Sequence, residues 1–303
     1  MSKYEHIVKD EELGMTVNQI LRANYKFSVR FKTKMKYQSL VDLNGTPTKG
    51  YIKPEVGDII AVRLPEEMSD FEPEDIPIEI IYEDDDIIII NKQPGIIVHP
   101  TKGHPNHTIA NALMKYMLES GQSFKIRFAN RIDMDTSGII IVAKNSNAQN
   151  ELSLQMRKGR VVKNYIALTE GAAAEEHFFV NEPIGRPGEV SIQRTVMSID
   201  EGGKDASSEF ELIDYYEYAD HKTHSLLLVK LHTGRTHQIR VHLSHIGHPI
   251  AGDELYGGSS DLINRQALHA YYIEFDHPHT GERMSFKSPI PGDILQALGM
   301  YYK

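Results

Sequence analysis

Asn130 to Gly138 reads NRIDMDTSG and runs directly into Ile139-Ile140-Ile141-Val142. A pair of carboxylates, an arginine, two hydroxyls and a glycine thus stand on a loop that opens onto a strand with the apolar makeup of a buried one. Paired carboxylates do acid–base work on a glycosidic bond when they are held several ångströms apart across the substrate. An Asp ahead of Thr-Ser-Gly also caps turns through side-chain to backbone hydrogen bonds. Spacing therefore leaves Asp133 open between turn residue and nucleophile. A loop mounted on a buried strand is, in either case, a rigid support for a side chain that must not move.

A second pointed stretch is Thr233-Gly234-Arg235-Thr236-His237-Gln238-Ile239-Arg240. Thr233-Gly234 ends a strand, and Arg235 to Arg240 is expected to begin a helix whose free amides and basic side chains suit a phosphate or carboxylate. The spacing lets one arginine face substrate while the other faces inward, and an inward arginine must find an acid. Asp133 is the natural partner for whichever of Arg235 and Arg240 faces inward. His237, His242, His245 and His248 crowd the same region, but their spacing scatters them over different helix faces and no HExxH or thiolate completes a metal site. No GxxxxGK[ST], GxGxxG or GxSxG occurs, so neither a nucleotide cofactor nor a serine nucleophile elbow is expected.

The elements that must hold these residues are legible in outline. Residues 1–75 read as a small α/β unit and its linker: an amphipathic helix around Thr16 to Asn24, a basic stretch, a hairpin at Asn44-Gly45, a turn at Gly57-Asp58 and a strand from Ile59. The acidic segment Pro65 to Pro77 has the makeup of a solvated connector. Residues 76–303 form a second unit with strand-like runs at Ile87 to Ile90, Ile139 to Val142, Val162 to Leu168 and Leu226 to Leu231. Helical candidates lie at Thr108 to Glu119, Asn147 to Arg157 and Thr236 to Ile246. Without regular crossover helices between the strands, the expected fold is α+β with a mixed, largely antiparallel sheet.

The 303 residues carry a net charge of −9, which on its face opposes a polyanionic partner. The charges are segregated, however. Arg22, Lys26, Arg30, Lys32, Lys34 and Lys36 lie in a run without acids, Arg157, Lys158, Arg160 and Lys163 form a second cluster, and the acids concentrate between Glu66 and Asp86. With no cysteine there is no disulfide, thiolate ligand or catalytic thiol. The N-terminus lacks an apolar core with a cleavage site, and no apolar run approaches the roughly 18 residues of a membrane span. The expectation is a cytoplasmic, monomeric protein without membrane contact.

Taken in order, DIIIINKQPGIIVHPTKGHPNHTIANAL (Asp86 to Leu113), NRIDMDTSGIIIVAK (Asn130 to Lys144), KNYIALTEG (Lys163 to Gly171), HTGRTHQIRVHLSHIGHPIAGDELYG (His232 to Gly257) and RQALHAYYIEFDHPHTGERMSFKSPIP (Arg265 to Pro291) resemble the RluA-type RNA pseudouridine synthases. Residues 1 to about 65 resemble, more weakly, the S-four-like RNA-binding domain that often precedes that catalytic domain. The resemblance implies isomerisation of uridine within RNA, with ribosomal RNA of the large subunit as the leading substrate and transfer RNA as the alternative. It implies Asp133 as the catalytic aspartate, Tyr165 as the active-site tyrosine and Arg240 as the arginine paired with the aspartate. Arg131, expected to fill or line the gap left by a flipped uridine, and Thr136, Arg235, His237 and Gln238 are the expected substrate contacts. The reaction detaches and rejoins the base without net redox or hydrolysis, so no cofactor and no metal are implied. One departure stands out: relatives carry histidine where this chain has Asn130, which suggests a loop-supporting rather than proton-transferring position. A non-catalytic RNA-binding assembly factor is the competing class.

Overall fold

A computed structural model of the chain describes residues 3–25, 27–65, 67–101, 103–217 and 222–299. Lys26 of the basic run and Glu66 of the acidic segment lie outside the described residues, as does the side chain of Arg30. Strand β1 (Lys3–Ile7) is followed by helices α1 (Val17–Asn24) and α2 (Val29–Tyr37) and by β2 (Val41–Leu43), β3 (Thr46–Pro47) and β4 (Ile59–Arg63). The four strands form one antiparallel sheet in the order β1-β4-β2-β3. Thr16 starts α1 with a reciprocal cap to Gln19, and Val17, Ile20 and Leu21 form its buried stripe. The hairpin turns at Asn44 and Gly45, whose φ values of 51° and 81° are those a tight hairpin turn demands. The basic stretch turns out to be largely the helix α2. Its apolar face is only Phe31 and Met35, one turn apart, too sparse a stripe to stand out among the lysines.

The main body follows as β5 (Glu79–Glu83), β6 (Ile87–Lys92), α3 (Ile109–Ser120), β7 (Arg127–Phe128), β8 (Ser137–Ala143), α4 (Ser146–Arg157) and β9 (Val162–Glu170). Next come β10 (His177–Val180), β11 (Ile184–Gly185), β12 (Thr195–Val196), β13 (Ser208–Glu217), β14 (Thr223–Leu231), α5 (Gln238–His245), β15 (Leu268–Asp276), β16 (Arg283–Lys287) and α6 (Gly292–Gly299). One large sheet runs β10-β13-β14-β9-β15-β8-β6-β5, with β16 on β15 and β7 on β8. Its pairs are antiparallel except β15 with β8. The fold is therefore α+β on a mixed, largely antiparallel sheet. No helix among the described residues is long and apolar enough to cross a membrane.

Every residue of β8 is buried, because the sheet is covered on both faces there. Ile140 and Val142 pack with Ile88 and Ile90 against Ile109 and Leu113 of α3, while Ile139 and Ile141 pack with Ile87 and Ile89 against Ala148 and Leu152 of α4. That two-sided burial explains the unbroken isoleucine runs, and each such side chain contributes about 1.5–3 kcal/mol. The acidic segment is irregular but not a free connector. Phe71 and Ile76 pack on the α3 side, Ser69 Oγ accepts from the Ile126 amide at 2.9 Å, and Glu67 binds Lys34 at 3.1 Å and also Arg127. Tyr4 adds a second tie between the sheets: its ring lies 4.2 Å from that of His279, and its hydroxyl accepts from Asn147 Nδ2 at 3.2 Å.

Strand register carries position from the NRIDMDTSG loop across the sheet. Gly138 on β8 pairs with Ala270 on β15, which pairs with Tyr165 on β9, so the three form one lateral row. Tyr165 thus stands two strands, about 10 Å, from the end of the loop. Gly138 has φ 108°, and a Cβ there would lie 2.3 Å from the Ala270 carbonyl oxygen. Gly138→Ala is predicted to lose about 2–4 kcal/mol of stability in urea denaturation. Gly188→Ala, where an added Cβ meets nothing within 4 Å, should change little.

Candidate active site

The loop between β7 and β8 is braced at both ends. Asn130 accepts from the Ile141 amide at 2.7 Å and donates to the Ile139 carbonyl at 3.2 Å, stitching its own loop to the neighbouring strand β8. Thr136 closes the turn through its amide, which donates to the Asp133 carbonyl at 3.2 Å. The carbonyls between are held by cations. Lys92, fully buried at the end of β6, donates to the carbonyls of Met134 (2.8 Å), Ile96 (2.9 Å) and Gln93 (2.8 Å). Arg265 donates to the Asp135 carbonyl at 3.0 Å while its other nitrogens grip Asp293, at the start of α6, at 2.6 and 2.9 Å.

Across from this loop, Arg240 on α5 is buried and meets two acids. Its Nε and Nη2 make a paired contact with Asp253 at 2.6 and 2.8 Å, and its Nη1 reaches Asp133 Oδ2 at 3.1 Å. The guanidinium also lies over the Tyr256 ring, 4.9 Å from the centroid. Burial alone would lower the Arg240 pKa, but the bonds and charges of Asp253 and then Asp133 override it and raise it. Arg240 is a fixed cation, and Asp133 shares it with a wholly buried second carboxylate.

His237 stands beside the pair, with Nε2 at 4.0 Å from Asp133 Oδ1 and Nδ1 at 2.9 Å from the Tyr256 hydroxyl. That hydroxyl accepts from the Arg194 amide at 2.8 Å, and when it gives its own hydrogen to His237 Nδ1 the imidazole proton stands on Nε2, toward Asp133. Burial lowers the His237 pKa despite the Asp133 charge, so the ring is neutral near pH 7. Tyr165 is buried on β9, and burial together with the Asp133 charge raises its pKa, keeping the phenol protonated.

Of the residues expected to touch substrate, Arg131 is exposed beside Asp133, and no hydrogen bond or ion pair holds it among the described residues. Arg235 is exposed, its Nε donating to the Asp205 carbonyl at 2.8 Å. Thr136 and Gln238 stand differently from these two. Thr136 is buried and its hydroxyl accepts from Gln266 at 3.3 Å. Gln238 is buried with its amide oxygen taking Thr233 Oγ1 (2.7 Å) and the Arg235 amide (2.9 Å), and its nitrogen held by Ser207 and Ser208. Both side chains are buried and engaged by protein partners. The helix also starts later than expected, at Gln238, because that glutamine folds residues 233–237 into a turn and His237 adopts φ 57°. The histidines do not converge: His242 bonds Ser208 and Glu182, and His248 bonds the Glu170 carbonyl.

Lys92, Asp253, Tyr256 and Arg265 were not singled out from sequence. A lysine closing the run IIIINK on a strand buried on both faces is a signal for Lys92. Nothing in sequence spacing brings Asp253 to Arg240.

Residues 86–245, which include Asp133, Tyr165 and Arg240, match the family model described as RNA pseudouridylate synthase. The "Ribosomal large subunit pseudouridine synthase D" of Vibrio vulnificus is 35% identical over 308 residues, spanning 95% of this chain and 91% of that protein. This chain belongs to the RNA pseudouridylate synthase family. It is an RNA uridine-to-pseudouridine isomerase of the RluA type. An "Uncharacterized RNA pseudouridine synthase YjbO" of Bacillus subtilis is 40% identical to the synthase, covering 83% of this chain and 86% of the relative. Among solved structures, "Human RNA Pseudouridylate Synthase Domain Containing 1" superimposes with a TM-score of 0.59 at 28% identity, over 72% of the synthase and 86% of the human chain. Asp253, Tyr256 and Arg265 fall outside the matched family segment.

Burial pushes the Lys92 pKa down to about 7, against the pull of the Asp135 and Asp133 charges. A lysine whose pKa is lower folded than unfolded takes up a proton on unfolding between those values, so its stability penalty is full below about 7 and is relieved as pH rises toward the unfolded value. Between pH 7 and 9, wild-type stability relative to Lys92→Met is predicted to rise by up to about 1.4 kcal/mol per pH unit. Urea denaturation at several pH values measures it; a difference independent of pH contradicts the assignment.

Proposed function

We propose that the synthase modifies uridine in ribosomal RNA of the large subunit, with Asp133, Arg240 and Tyr165 as its catalytic groups. The observation that carries the reading is the ion pair of Asp133 with the buried Arg240, at 3.1 Å, facing the neutral His237. An ionised carboxylate suits attack on the ribose, or assistance to loss of the base, and stabilises positive character on the sugar. Arg240 opposes the charge of Asp133 and holds its carboxylate in place through the 3.1 Å contact. Tyr165, held as a neutral phenol, suits stacking on the detached uracil. Taking the proton from the newly bonded ring carbon would require its phenolate, which burial and the Asp133 charge oppose, so we favour stacking.

A uridine inside folded RNA must leave its stack to reach such a group. Arg131, exposed two residues from Asp133, is positioned to fill or line the gap, while Arg235 and His237 contact the substrate. The small unit of residues 1–75, with the basic α2, serves as an S-four-like RNA-binding domain ahead of the catalytic unit of residues 76–303. The relatives named for the large ribosomal subunit support the substrate class. In this reading the enzyme acts in the cytoplasm as a monomer, without a membrane, metal or cofactor.

The test is tritium release from RNA transcribed with carbon-5-tritiated uridine, using large-subunit ribosomal RNA and transfer RNA in parallel. Wild type should release tritium from the ribosomal transcript in the presence of chelator, Asp133→Asn should release none, and Arg131→Ala should be slowed. Binding without release from either RNA would favour an assembly factor, and release from transfer RNA alone would reassign the substrate.

A further inference from the structure

Beside the active site, at the start of β9, lies a cavity of about 80 Å³ lined by Met156, Gly159, Val161, Lys163, Lys230 and His232, among others. It has room for a small oxyanion, or for two or three waters at roughly 30 Å³ each. Of the basic cluster Arg157, Lys158, Arg160 and Lys163, the first three are exposed and only Lys163 is drawn in from solvent. Its ammonium has no hydrogen bond or ion pair among the described residues, and burial alone lowers its pKa. The other bases at the cavity are already served. Glu209 takes Lys230 at 3.4 Å and His232 at 2.7 Å, and it also takes His177 at 3.2 Å. Lys163 is therefore a partly desolvated base at the cavity with no acid of its own among the described residues, an arrangement that an anion in the cavity would relieve.

The cavity's placement narrows the choice of anion. Lys163 and Tyr165 point to the same face of β9, about 7 Å apart along the strand. The Lys163 ammonium lies against Gly234, 3.5 Å from where a Cβ would stand. Gly234 belongs to the turn that leads to Arg235, His237 and Arg240, so Lys163 links the cavity to the foot of that turn. We propose that the cavity is a phosphate subsite in which Lys163 binds the RNA phosphate flanking the uridine presented to Tyr165 and Asp133. The proposal rests on the functional reading above for the identity of the ligand as RNA. It separates Lys163 from the exposed bases of its cluster, which screen the backbone without a built pocket.

Two measurements test it. In filter binding of the large-subunit ribosomal RNA transcript over a salt series, Lys163→Gln should weaken binding about tenfold at low salt. It should also reduce the slope of log affinity against log salt by about 0.7–0.9, the signature of one phosphate contact. Lys163→Arg should restore most of the slope. In wild type, reductive methylation of Lys163, read by mass spectrometry, should be blocked by a twelve-residue oligouridylate and by tens of millimolar inorganic phosphate, and not by free uridine. An unchanged slope in Lys163→Gln, or protection by uridine without phosphate, would overturn the subsite. If wild type instead neither binds nor modifies the ribosomal transcript, the functional reading fails, while protection by inorganic phosphate still decides the subsite.

Discussion

A guanidinium withdrawn from water needs acids around it, and Arg240 is given two with different standing. Asp253 grips it in the paired geometry that best matches a carboxylate to an arginine, and is itself wholly buried. Asp133 takes the remaining nitrogen with one oxygen and stays partly exposed. Removing either partner from a buried pair costs about 3–5 kcal/mol because the other charge is stranded. The arrangement therefore fixes Arg240 through Asp253 and leaves Asp133 both charge-paired and reachable. Tyr256 reinforces it, lying under the guanidinium and bonding His237 on the other side of Asp133.

A carboxylate on a loop, proposed as the nucleophile, is useful only if the loop cannot drift. Here the loop carbonyls, which have no strand partners, are taken by Lys92 from β6 and by Arg265, itself anchored to α6. Asn130 fastens the loop's first residue to β8, and Gly138 lets β8 press against β15. The parallel pairing of β8 and β15 brings the loop and the α5 turn to the same region of the sheet, and the lateral row through Ala270 then places Tyr165. Catalytic geometry and sheet register are one problem in this fold.

Sequence range decides how much of this was legible before folding. Patterns that repeat within a few residues could be read: the helices that begin near Thr16 and Thr108, the Asn44-Gly45 hairpin, the isoleucine runs, and an inward arginine in need of acid. The basic run hid α2, because two buried side chains one turn apart make a weak periodic signal. The segment 65–77 looked solvated by composition, yet a few contacts by Ser69, Phe71 and Ile76 suffice to pin it. Thr136 and Gln238 looked like substrate contacts because they are polar and adjoin catalytic candidates; which way such a side chain turns depends on partners distant in sequence. Asp253 and Arg265 escaped for that reason too, since Arg265 meets Asp135 only through folding of the whole domain.

The claim at the centre is that Asp253 acts through Arg240 on Asp133. A double-mutant cycle on single-turnover tritium release from the large-subunit ribosomal transcript tests it most directly, with Arg240→Met, Asp253→Asn and the double variant. If the three residues form one unit, each single variant is slowed by about a hundredfold or more, and the double variant is no slower than Arg240→Met within about threefold. Losses that multiply in the double variant would show Asp253 and Arg240 acting independently and would contradict the account.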